Sequence, residues 1–194
     1  MLSPNIIRKS PIRVNMSDDP AKERVESLAR LTELIKNIEG SKVTLIGDTM
    51  LDRFHHGFAN NLNSTSPVPV LKITRTEESA GASAHIAIGL TSFGMDVCFH
   101  TCVGDDSVGD SLISSLKNSG VGVKDTIVIE GRKTLTKIRF FGSRESLLDR
   151  EQILLQADRG PNEILDPSVS EKLTLNAQSS MSDSSALIIS DYNK

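Results

Sequence analysis

A chain of 194 residues, 38% apolar and 24% charged, has the make-up of one folded domain with an appendage, which excludes wholesale disorder. Its net charge of −3 gives no general attraction to nucleic acid or anionic membrane, and no apolar run approaches the ~20 residues that cross a bilayer. Two cysteines, one Tyr and no Trp argue against a secreted disulfide scaffold and for a reducing cytoplasm.

Residues 1–20 read as a disordered leader, basic and without the continuous apolar core of a secretory signal. Residues 21–40 form a lead-in helix with Val25, Leu28, Leu31, Leu34, Ile35 and Ile38 in a helical stripe. Asp18 or Asp19 caps it ahead of Pro20, Gly40 ends it, and the stripe predicts packing against the following domain.

The domain proper runs over residues 41–194. It opens on "KVTLIGD", a short apolar strand ending in Gly47-Asp48. "RFHHGFANNLNS" and "PVPVLKITRTEES" follow, and the two prolines of the second suit an edge strand. Residues 82–93 form a helix, "DVCFHTCVG" a strand, and 107–119 a second helix capped by Ser107 and followed by Gly120. "DTIVIEG", "TLTKIRFFG" and "EQILLQAD" are strands, 167–178 is a helix, and "ALIISDY" is the last strand. Strands alternating with helices specify an α/β fold whose sheet is mostly parallel. The segments around 53–79 and 132–142 break that alternation and form a small β lid. A further helix and strand are expected beyond Lys194 to cover the final strand, so the C-terminal part of the domain is expected to be missing.

Cys98, His100 and Cys102 share one strand face, but period two places the cysteines roughly 13 Å apart, too far for thiolates at ~2.3 Å from one zinc ion. They read as buried strand residues, and no metal site is expected.

Three stretches carry binding chemistry. In "IGDTMLDRF", Asp48 and Asp52 lie near a strand end where parallel sheets hold ligands, and a carboxylate can accept two hydroxyls of a polyol. In "EESAGASAHIAIGL", Gly81 and Ala82 open a helix whose free N–H groups and positive dipole end a ligand could approach; close packing against the sheet explains the small residues equally well. In "TKIRFF", Lys137 and Arg139 are two apart on a strand, so their cations share a face and suit a phosphate. Asp191 and Lys194 close the chain just past a strand. Neither a P-loop nor a dinucleotide glycine fingerprint follows the first strand.

The stretches "IGDTMLDRF", "SPVPVLK", "AGASAHIAIGLTSFG", "VGDDSVGDSL", "TKIRFF" and "IISDY", in this order, resemble the ribokinase-like (PfkB) carbohydrate kinases, and within them the heptose 7-phosphate kinases of ADP-heptose synthesis. The resemblance implies a ribokinase-like three-layer α/β sandwich with a β lid. It also implies ATP as phosphoryl donor with Mg²⁺, a sugar or sugar phosphate (heptose 7-phosphate at O1) as acceptor, and a cytoplasmic homodimer joined through the lids. By the same likeness Asp52, Gly81, Ala82 and His85 face the sugar, and Lys137, Arg139, Asp191 and Lys194 surround it near its phosphate.

Three positions depart from the family pattern. Its paired glycines stand here as Gly81-Ala82, the closing asparagine of the motif is His85, and Asn61 takes the place of an arginine. The family's Gly-Ala-Gly-Asp segment, whose aspartate is the general base, has no match in these 194 residues. That base is expected beyond Lys194, and this chain alone is expected to be inactive. The alternative is a non-catalytic remnant that retains sugar binding or dimerisation.

Overall fold

The structure is a computed structural model that describes residues 20–143, 150–161 and 163–193. It has two separate units, which divide after Asn37. The first contributes helix α1 (Pro20–Ile38), which buries none of its residues. Val25, Leu28, Leu31, Leu34 and Ile35 form the apolar stripe of this helix as predicted.

The second unit is built on β1 (Lys42–Gly47), β4 (Asp96–His100) and β9 (Ala186–Ser190), a parallel sheet with β1 at its centre. β-branched and apolar residues without an interior charge let β1 occupy that central place, where both faces are covered. Leu45, Val97 and Phe99 leave one face and pack with Ala84 and Ala87 of α2 (Ser83–Ser92) and Leu112 and Leu116 of α3 (Ser107–Asn118). The opposite face carries Thr44, which meets Ser184 just past α4 (Pro167–Met181), and His100, which meets Ser180 of α4. Helix, sheet and helix make the three layers of the expected α/β sandwich. Burial pushes the fully buried His100 below the ordinary histidine value, against the upward pull of the Asp125 carboxylate.

A second sheet stands apart, in the order β3-β2-β7-β8: β2 (Thr49–Leu62), β3 (Pro69–Ala82), β7 (Thr136–Ser143) and β8 (Gln152–Arg159). β3, with Pro69 at its start, is an edge strand as its prolines predict. β2 and β7 are parallel, whereas the outer pairs are antiparallel.

Two local expectations are corrected. "DVCFHTCVG" is not one strand: Thr101 interrupts it, donating its hydroxyl to Gly47 O at 2.8 Å, and β5 (Cys102–Gly104) pairs instead with β6 (Ile127–Ile129). The N-cap of α3 is Asp106 and not Ser107, its carboxylate accepting from Gly109 N–H at 3.0 Å. Burial alone would push this carboxyl up. Hydrogen bonds from the Thr134 hydroxyl, Gly109 N–H and Thr134 N–H, with the charge of Lys133, outweigh it and hold Asp106 below the usual carboxylate range.

Candidate functional site

Strand β2 carries Asp52, which lies opposite Ser79 of β3 on one side and Lys137 of β7 on the other. Side chains of register partners share a sheet face, and alternate residues along a strand return to it. One face therefore holds Asp52 and Phe54 of β2, Gly81 of β3, and Lys137 and Arg139 of β7.

The contacts on that face are specific. Arg139 Nη1 donates to Asp52 Oδ1 at 2.7 Å, with the two side chains 25% and 19% exposed. The guanidinium also lies 5.4 Å from the centre of the Phe54 ring, in cation–π range. Lys137 Nζ reaches across to Asp158 Oδ2 of β8 at 3.0 Å. A Cβ at position 81 would collide with Asp52 Oδ2, so glycine is what lets the carboxylate lie flat against β3. The face thus offers a fixed carboxylate flanked by two cations, a set suited to hydroxyls and an anion.

Gly81 leads into α2 through Ala82, whose φ of 52° and ψ of −132° belong to the region glycine prefers. Ala82 caps α2 without any side-chain hydrogen bond. The Ser83 N–H donates to Asp48 O at 3.0 Å and its hydroxyl to Ser190 O at 2.9 Å, so the helix start is tied to the ends of β1 and β9. The small residues from Ala80 to Ala87 accordingly serve close packing: Ala80, Ser83, Ala84 and Ala87 are buried. His85 is exposed on the first turn of α2.

Asp191 falls in a different place from Asp52. It lies past β9, accepts from Asn193 N–H at 2.7 Å, and with Asp48 helps line a hollow of about 480 Å³ between the ends of β1 and β9 and helix α4. Asp48 Oδ2 accepts from Tyr192 N–H at 2.8 Å. Cys102 also lines this hollow; burial pushes its thiol up, against the pull of Arg132, and so disfavours a thiolate nucleophile. Lys194 lies outside the described residues. Of the sequence-derived set, the structure brings together Asp52, Gly81, Lys137 and Arg139, with Ala82 beside them in the chain.

Phe54 and Asp158 escaped the sequence reading. Phe54 could have been found by period two from Asp52, whereas Asp158 is placed only by the antiparallel pairing of β8 with β7.

The three-layer core with a separate four-stranded sheet defines a ribokinase-like fold. Solved structures share it: a carbohydrate kinase from Agrobacterium tumefaciens (TM-score 0.54, 15% identity) covers 77% of this chain and 45% of its own. A ribokinase from Cryptococcus neoformans in complex with ADP (TM-score 0.50, 18% identity) covers 77% and 40%. Residues 41–170 match the pfkB family carbohydrate kinase profile, and the chain belongs to that family. Among curated relatives, the bifunctional protein HldE of Paramagnetospirillum magneticum is 30% identical over 168 residues, 86% of this chain and 33% of the relative. HldE of Haemophilus ducreyi is 35% identical over 154 residues, 79% of this chain and 30% of the relative. The chain thus spans about a third of the length of these relatives.

Proposed function

We propose that this chain supplies the sugar-holding part of a cytoplasmic kinase that phosphorylates a sugar or sugar phosphate, with heptose 7-phosphate at O1 as its substrate. The observation that carries the reading is the Asp52–Arg139 pair seated against Gly81. In this reading Asp52 accepts sugar hydroxyls, Arg139 fixes the carboxylate's direction, and Lys137 and Arg139 together attract the substrate phosphate. Position 85, where the family has asparagine, approaches the sugar with an imidazole. Asp191 and Lys194 complete the surroundings from the end of the main sheet. Family membership and the HldE relatives support the sugar-phosphate class, and the ADP-bound fold relative supports a nucleotide donor.

ATP and Mg²⁺ enter as the donor pair of the complete kinase. Among the described residues no oxygen-rich ligand cluster is gathered that would suit magnesium, and Asp48 and Asp191 each accept a backbone amide, so neither group is assigned residues here. With no Gly-Ala-Gly-Asp segment in the sequence, the general base is assigned to no residue of this chain either. A homodimer in which the four-stranded sheets of two copies meet completes the reading.

Calorimetric titration of the chain with heptose 7-phosphate, heptose and inorganic phosphate tests it. Saturable binding of the sugar phosphate, stronger than either fragment, is expected. Equal binding of inorganic phosphate and sugar phosphate would reduce the face to a simple anion site and overturn the reading.

A further inference from the structure

Away from the sugar face, β4 presents Cys98 and His100 toward α4. Two apart on the strand, their side chains converge until Cys98 Sγ and His100 Nε2 are 3.4 Å apart. A third group is carried to them by the segment after α3. Gly122 bridges Cys98 as a parallel partner, its N–H donating to Val97 O and its O accepting from Phe99 N–H, both at 2.8 Å. Ile127 N–H then donates to Thr101 O at 3.0 Å. Between these two anchors a turn closed by Thr126 N–H to Val123 O, at 3.1 Å, holds Asp125. A Cβ at position 122 would lie 2.9 Å from Val97 O, so glycine permits the approach that delivers the carboxylate.

The outcome is a thiol sulfur, a ring nitrogen and a carboxylate oxygen all within 4.8 Å of one another. For a tetrahedral zinc ion with sulfur at about 2.3 Å and nitrogen at about 2.0 Å, the sulfur–nitrogen edge is roughly 3.5 Å, close to the 3.4 Å between Cys98 and His100. His100 is fully buried and its Nδ1 has no hydrogen-bond partner, while Nε2 lies 3.0 Å from Ser180 Oγ. A core of Cys98, His100 and Ser180 joined by hydrogen bonds accounts for Nε2 but leaves the approach of Asp125 unexplained. Thiolate and carboxylate together balance the charge of a divalent cation, with a neutral imidazole as third donor. Cys98 and Ser180 also line an open hollow beside Asp183, which gives an ion a way in.

We propose that Cys98, His100 and Asp125 form a site for a divalent ion of the zinc class, bound by thiolate, imidazole and carboxylate with its fourth position beside Ser180 Oγ. The ion ties β4 to the turn after α3, and the site shares no residue with the sugar face. Cys102, the third member of the strand trio considered from sequence, takes no part; it belongs to β5.

Cobalt(II) titration of the reduced, metal-stripped full chain tests the site. The wild type is expected to take up one equivalent with thiolate-to-cobalt charge-transfer absorption and the visible bands of a tetrahedral ion, and zinc is expected to displace it. Cys98→Ser should abolish the charge-transfer band and Cys102→Ser should leave it unchanged. Asp125→Asn, in a turn where folding is least at risk, should keep the band but weaken cobalt binding at least as much as losing an outer-shell partner does, about ten-fold. A folded wild type without the band would overturn the site, as would a band lost in Cys102→Ser but kept in Cys98→Ser. Asp125→Asn binding cobalt as tightly as wild type would remove the carboxylate from it.

Discussion

Arg139 passes over its own register partner, Phe54, to bond diagonally with Asp52, whose register partner is Lys137. The guanidinium keeps the Phe54 ring beneath it while one nitrogen holds Asp52 Oδ1 at 2.7 Å. Carboxylate, cation and ring are locked into one arrangement before any ligand arrives, which lowers the ordering cost of binding. Lysine cannot reproduce the planar contact. Arg139→Lys is therefore expected to keep the charge but weaken sugar-phosphate binding at least about ten-fold, or about 1.4 kcal/mol, in a calorimetric titration. Unchanged affinity would make the arginine a surface charge only.

Gly81→Ala separates binding from stability. The added methyl meets the end of Asp52 and, at 3.0 Å, Met50 Cγ, and none of its nearest neighbours is backbone. Urea denaturation should shift by no more than about 1 kcal/mol, while sugar binding falls because Asp52 is pushed aside. A large loss of stability would mean that the backbone, and not the carboxylate, is what the glycine protects.

Ala82→Gly should stabilise the protein. With φ 52° and ψ −132°, Ala82 occupies backbone space that costs an L side chain energy, and glycine removes the strain at some entropic cost. A gain on the order of 1 kcal/mol is expected from the denaturation midpoint. Loss of stability would show that the methyl packs well enough to offset the strain.

Asp106 ties the start of α3 to Thr134 through both carboxylate oxygens, Oδ1 bonded to Gly109 N–H and the Thr134 hydroxyl and Oδ2 to Thr134 N–H. Asp106→Ala should lower stability by about 1–2 kcal/mol at neutral pH, the usual effect of losing a cap. Its folded-state carboxyl sits below the ordinary 3.8, so the stabilisation is complete above that pH and is lost as pH falls through the lower folded value. The gap between wild type and variant in thermal melts should therefore narrow on acidification. A gap independent of pH would deny the carboxylate its capping role.

Much of the fold was legible because local pattern and tertiary environment agree. The apolar run of β1, the small-residue start of α2 and the prolines of β3 each specify what the structure contains. The failures arise where a distant residue decides. Asp106 and Ser107 are both competent caps, and Thr134, far along the chain, selects Asp106. Thr101 breaks an apolar run that looks continuous because Gly47 O takes its hydroxyl. On the face that carries Asp52, the shared side of Lys137 and Arg139 follows from period two, but their pairing with Asp158 and Asp52 depends on strand order, which no local pattern encodes. The stripe of α1 was equally plain in sequence, yet a stripe does not name what covers it.

A fixed carboxylate can accept two hydroxyls of a polyol, and this chain sets one between a glycine and an arginine; losing that single negative charge should weaken recognition while sparing the fold. Calorimetric titration of Asp52→Asn with heptose 7-phosphate, alongside circular dichroism, measures this. The account predicts native dichroism with affinity reduced at least about ten-fold, and a natively folded variant that binds as tightly as wild type would contradict it.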